Sequence, residues 1–80
     1  MSHIKSKVQT FEVPNTNLIY HIQVFEDGKL IAHTVKLNGE IDHANTYHNI
    51  RELHHKIRPS VKLYYDKCLT DFEADKSKSS

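Results

Sequence analysis

Seven histidines stand in a chain of 80 residues, and histidine is the side chain that ligates metals, moves protons and changes charge near neutral pH. They are His3, His21, His33, His43, His48, His54 and His55. If a helix begins early, His48, Glu52 and His55 fall at i, i+4 and i+7 on its polar side. Two imidazoles and a carboxylate are a donor set that zinc accepts. The zincin pattern, however, needs His-Glu-x-x-His. Here the order is His-x-x-x-Glu-x-x-His, and no cysteine pair supports it. The reading is a solvated helix face without a cofactor, with these three residues as the only metal candidates.

Nucleophilic and acid–base chemistry find less to work with. Cys68 is the single cysteine. Nothing around it resembles a protease motif, and Lys67 beside it at an exposed strand end lowers a thiol pKa only slightly. Gly28 and Gly39 are the only glycines and both sit in turns, so there is no glycine-rich loop to cradle phosphates. Glu26 and Asp27 mark a hairpin tip, while Asp71, Glu73 and Asp75 lie near the C-terminus. Neither group forms a buried carboxylate pair of the kind that separates an acid from a base. The expectation is a protein that is not an enzyme.

What remains is binding. Tyrosine, arginine and phenylalanine supply interface hot spots, and Phe25, Tyr47, Arg51, Arg58 and Tyr64 are the candidates that do not all fit inside one small core. The other reading of Tyr47 and Tyr64 is that they complete the core rim. Lysines and arginines are spread among the aromatics, so nucleic acid is a second class of partner. A stacking sheet would need aromatics exposed at strand centres. Only Phe25 and Tyr64 could qualify.

The elements that must carry these residues follow from patterning. Asp27-Gly28 between two β-rich runs predicts a hairpin from Asn17 to Leu37 with a two-residue type I′ turn. That register pairs Val24 with Ile31, Ile22 with His33, Tyr20 with Val35 and Leu18 with Leu37. It turns His33 into an apolar face, where a histidine stays neutral and hydrogen-bonded. The other face, with Ile19, His21, Gln23, Phe25 and Leu30, is mixed. If uncovered around Ile19, Phe25 and Leu30, it favours a homodimer.

Lys7 to Val13 reads as an edge strand ended by Pro14. Asn38-Gly39 is a second turn, and residues 40–46 are left as strand, loop or helix start. Ile50, Leu53 and Ile57 at i, i+3 and i+7, with Asn49 and Glu52 as a capping box, predict a helix that Pro59 ends. An alternative start places Asp42 at the N-cap and takes Ala44 and Tyr47 into the helix. Alternation of Val61, Leu63 and Tyr65 predicts a last strand to Leu69. Residues 73–80 read as a disordered polar tail after a single domain, 1–72. The fold class is α+β, a small antiparallel sheet of three to five strands with one helix on one face.

Composition sets outer bounds. Eleven Lys plus Arg against ten Asp plus Glu leave a formal charge of +1, short of the basic footprint of a phosphate-backbone binder. One cysteine permits no intrachain disulfide, and neither a signal-like apolar run nor a membrane-length one is present. The expected location is cytoplasmic, with no membrane partner.

The run from Leu18 to Ile57, with Tyr-His-Ile-Gln-Val-Phe-Glu-Asp-Gly, a second strand, Asn-Gly and then Tyr47-x-Asn49-x-x-Glu52-Leu53, resembles the small sheet-plus-helix anti-CRISPR proteins of phages and mobile elements. The resemblance implies a non-enzymatic inhibitor that binds a host protein or ribonucleoprotein defence complex through its surface. A second resemblance is to HicB-type antitoxins, which implies a regulator that binds a toxin or nucleic acid. In that family the helix starts Glu-Glu-Ala, where this chain has Asn49-Ile50-Arg51-Glu52.

Overall fold

The computed structural model describes residues 4–78, with side chains through Asp75. His3 and the last two residues of the polar tail lie outside the described residues. Four strands form one antiparallel sheet in sequence order: β1 (Ser6–Glu12), β2 (Ile19–Phe25), β3 (Leu30–Val35) and β4 (Ile41–Tyr47). A 3₁₀ turn, Ile50–Glu52, follows, and then one helix, α1 (Arg58–Lys78). The α+β class with a helix on one face of an antiparallel sheet is what the sequence predicts.

Both β2–β3 and β3–β4 connect through the same three-residue device. In the first, the Phe25 N–H donates to the Lys29 carbonyl at 2.9 Å and the Gly28 N–H to the Phe25 carbonyl at 3.0 Å, with Gly28 at φ +92°. In the second, the Lys36 N–H donates to Glu40 at 2.8 Å and the Gly39 N–H to Lys36 at 2.9 Å, with Gly39 at φ +90°. Asp27 and Asn38 each accept, on a side-chain oxygen, the N–H two residues on, at 3.1 and 3.0 Å. This is a turn followed by a left-handed glycine bulge, one residue longer than a type I′ loop.

The extra residue shifts the hairpin register by one from the sequence expectation. Val24 pairs with Leu30, Ile22 with Ala32, His21 with His33 and Tyr20 with Thr34. Because side chains alternate, the slip exchanges faces along β3. Leu30 and Ala32 enter the core, while His33 leaves it and Leu37 is 89% exposed. His33 is therefore not a buried core histidine, and Leu30 is not part of the mixed face.

The core lies between the sheet and α1. Val13, Tyr20, Ile22, Val24, Leu30 and Ala32 meet Leu53, Ile57, Val61, Cys68 and Phe72. The helix was expected one segment earlier. Leu53 and Ile57 are buried as foreseen, but they anchor a connecting segment, and the Asn49/Glu52 capping box starts only the short 3₁₀ turn. Residues 61–69 are helical, not a strand. Val61, Cys68 and Phe72 recur on one stripe while Leu63 is 73% exposed, which a period of two cannot produce. Pro59 opens this helix and does not close the previous one. The first turn needs no N–H from it, and the first helical bond runs from the Val61 N–H to the Ile57 carbonyl at 2.9 Å. Residues 73–78, read from sequence as tail, are the last turns of α1.

Of residues 40–46, open between three readings, all but Glu40 belong to β4, which is bulged. His33 pairs with Thr46 and its neighbour Thr34 with Asp42, so residues 43–45 are looped out. The Asp42 carboxylate holds the bulge by accepting from Asn45 Nδ2 at 2.7 Å and from the Ala44 N–H at 3.1 Å. The early helix start at Asp42 is thereby replaced. A bulged, polar outer strand is a poor template for another chain.

If Phe72 seals the core from α1, Phe72→Ala costs about 3–5 kcal/mol, the range for truncating a buried aromatic. Chemical denaturation checks this. A disordered tail beginning one residue later would leave the site loosely packed and the loss under about 1 kcal/mol.

Candidate functional site

A concavity of about 630 Å³ opens where the β2–β3 hairpin tip meets the segment after β4 and the side of α1. Its apolar side chains are Leu30, Ile31 and Ile50, and Lys29, His48, Asn49, Arg51 and Tyr65 surround them. None of the lining residues is acidic.

Two local devices hold this groove. Tyr65 Oη on α1 donates to the Gly28 carbonyl at 2.5 Å, tying the hairpin tip to the helix. On the other wall, one Glu52 oxygen accepts the backbone N–H groups of His48 at 3.0 Å and Asn49 at 3.1 Å. The bond from His48 above all, helped by that from Asn49, holds the Glu52 carboxyl below its ordinary range, against a desolvation cost that outweighs the Asn49 bond alone. Glu52 is thus engaged with backbone donors that would otherwise be unpaired.

The five residues expected to bind a partner do not share one surface. Arg51 lines the groove. Phe25 ends β2 on the sheet face opposite the core. Tyr47 packs edge-to-face on Tyr20, ring centroids 5.9 Å apart, and Tyr64 on Phe11 at 5.5 Å, so both pack at the core rim. Arg58 turns its Nε back to the Leu53 carbonyl at 2.9 Å. Lys29, Asn49, Ile50 and Tyr65, which line the groove, were not among the residues expected from sequence to bind a partner. Tyr65 reaches Gly28 only because residues 61–69 are helical.

His48, Glu52 and His55 do not form one helix face, because the helix that would align them is absent. Among the described residues no group of three or more His, Cys, Asp or Glu could hold a metal ion. His54 and His55 stack on each other at 4.5 Å. Cys68 is buried on the inner side of α1, not at an exposed strand end. Tyr64 Oη is buried without a hydrogen-bond partner, and burial, then the Cys68 thiol beside it, raises its pKa well above that of free tyrosine.

No protein-family model, curated protein or solved structure matches this chain. No described helix is long and apolar enough to cross a membrane.

Two measurements probe the groove walls. Tyr65→Phe removes one hydrogen bond and lowers stability by about 0.5–1.5 kcal/mol, with exchange protection lost first at the hairpin tip. For Glu52 the sign follows from its depressed pKa. Its contribution is complete above the ordinary value of 4.5 and is lost as pH falls through the lower folded value. Acid titration of Glu52→Gln should accordingly show a shallower loss of stability below that pH than the parent chain. An unchanged acid limb would mean the capping bonds do not form in solution.

Proposed function

We propose that this chain is a small non-enzymatic binding protein that blocks a larger protein or ribonucleoprotein assembly by contact, in the manner of the phage and mobile-element anti-CRISPR proteins its sequence resembles. The observation that carries the reading is the groove between the hairpin tip and α1. It combines an apolar interior with a tyrosine and a cationic border of Lys29 and Arg51. Arginine and tyrosine around an apolar centre are the composition of interface hot spots. With no acidic lining residue, the complementary occupant is an acidic segment of a partner protein with an apolar residue at its centre.

The groove is also preformed. Tyr65 and Glu52 fix its two walls from different elements, so binding need not order a loop, and that saving favours affinity. The formal charge of +1 gives little non-specific attraction to polyanions, which favours a protein surface over a nucleic-acid backbone as the target.

Tagged protein incubated with a host-like lysate, with and without nuclease, tests this. The expected result is a stoichiometric, nuclease-resistant complex whose contact segment is acidic by cross-linking, and which Arg51→Glu weakens about tenfold or more. Recovery of nucleic acid that disappears on nuclease treatment, with affinity falling steeply as salt rises, would instead establish the regulator or antitoxin reading. A complex indifferent to Arg51→Glu would remove the groove from the interface.

A further inference from the structure

A meander leaves two outer strands, and here the two edges differ. β4 breaks its ladder at the looped-out residues 43–45. β1 pairs with β2 without interruption over all seven residues, Ser6–Glu12. On the same register the Glu26 N–H donates to the Lys5 carbonyl and the Val13 N–H to the Leu18 carbonyl, each at 2.9 Å. Lys5, Lys7, Gln9, Phe11 and Val13 therefore turn their main-chain groups toward β2, and alternation turns those of Ser6, Val8, Thr10 and Glu12 outward. These four residues are all exposed, and no loop or helix backbone among the described residues bonds to their main chain. A row of free ladder groups of this kind is completed by another extended chain.

A pocket lies beside this edge. It measures about 450 Å³ and opens between β1 and α1, with Lys7, Val8 and Gln9 on the strand side and Tyr64, Lys67 and the buried Cys68 on the helix side. It shares no lining residue with the groove at the hairpin tip, which lies on the Tyr65 flank of α1. An edge lysine such as Lys7 ordinarily guards a strand against pairing. Its Nζ is instead drawn back to the Asp71 carboxylate at 3.3 Å and over the Phe72 ring at 5.9 Å. Lys67 is exposed and makes no ion pair among the described residues. A strand added outside β1 would lie about 4.8 Å from it and run along the mouth of the pocket. Every second side chain of that strand would point to the same side as Lys7 and Phe11, toward α1.

Charge selects among extended chains. Asp71 balances Lys7, which leaves Lys67 as the unbalanced charge among the lining residues. An acidic side chain on the helix side of the added strand is its complement. A second copy of β1 is not, since it would bring Lys5 and Lys7 to a border that already holds Lys7 and Lys67. We propose that β1 is a docking edge for an extended segment of a partner protein, which adds to the sheet as a further strand and sets a carboxylate against Lys67. Main-chain bonds supply the affinity, and the side chain over the pocket supplies the selectivity. The edge and the groove lie on opposite flanks of α1, so either site can fail alone.

A single added strand buries little surface, so the contact is weak and reversible. Val8 offers a way to remove it while sparing the fold. Its N–H points away from β2, so a proline there deletes an outward donor and leaves the β1–β2 bonds in place.

Backbone amide NMR of the full chain decides the matter. The probe is a synthetic peptide of alternating valine and glutamate, matched in length to the seven residues of β1 and added up to about 1 mM. The amides of Ser6, Val8, Thr10 and Glu12 are expected to shift and to gain protection from exchange. Val8→Pro and Lys67→Glu should each weaken binding about tenfold. Leu63→Gln, on the outer side of α1 where Leu63 is 73% exposed, should bind like the parent. The same peptide with every amide N-methylated, or with lysine in place of glutamate, should not bind. Absence of the edge shifts at about 1 mM peptide would overturn the proposal. So would equal binding by the N-methylated or the lysine peptide, parent-like binding by both Val8→Pro and Lys67→Glu, or protection of the same amides by self-association without peptide.

Discussion

The three-residue loop closed by a left-handed glycine is the constraint on which the rest of the structure depends. Backbone sterics allow Gly28 its φ of +92° where a side chain would be strained, and the loop length then fixes the partner of every residue in β2 and β3. Because side chains alternate, that choice also decides which set meets α1. With Leu30 and Ala32 opposite Val24 and Ile22, small and aliphatic side chains line the helix side and the histidines collect on the other. One fewer loop residue would place His33 against Ile22. An imidazole would then replace a methyl group under the helix. The same loop, repeated at Gly39, carries the arrangement to β4 without a change of face until the bulge.

Much of this could be read from composition and pattern because strands and turns announce themselves locally. β1, the two glycine turns, Pro14 as a terminator and an apolar β2 all depend on residues within a few positions of each other. The helix was misplaced because two periodicities coexist after Asn49. Ile50, Leu53 and Ile57 satisfy a helical stripe, yet their burial comes from a connecting segment pressed onto the sheet. Val61, Leu63 and Tyr65 satisfy a strand, yet Val61, Tyr64, Cys68 and Phe72 satisfy a helix over a longer stretch. Length arbitrates between them, since the helical pattern continues to Phe72 and the alternation does not. Pro59 was ambiguous in the same way, fitting the first turn of one helix as well as the end of another.

The candidate site was less legible for a related reason. Arg51 could be named from its residue type, but the groove around it is made by contacts distant in sequence, with Tyr65 and Gly28 37 positions apart. Tyr47 and Tyr64, attractive as hot spots by type, were free to be so only while no core claimed them. Once α1 is in place their rings pack on Tyr20 and Phe11, and Lys29 and Tyr65 line the groove instead. The molecule consequently divides its surface by chemistry: cations around the groove at the hairpin end, neutral side chains and imidazoles across the open sheet.

The meander and the latch also imply an order of assembly. Each strand pairs with its neighbour in the chain, so the sheet closes through short loops with little entropic cost. The helix instead reaches back over 37 residues to Gly28 and over 64 from Asp71 to Lys7. Its docking carries most of the long loop closure and so belongs late on the folding route. By the same token α1 is the element most readily shed as a unit, and an opening of that kind would bare the second face of a sheet whose first is already uncovered.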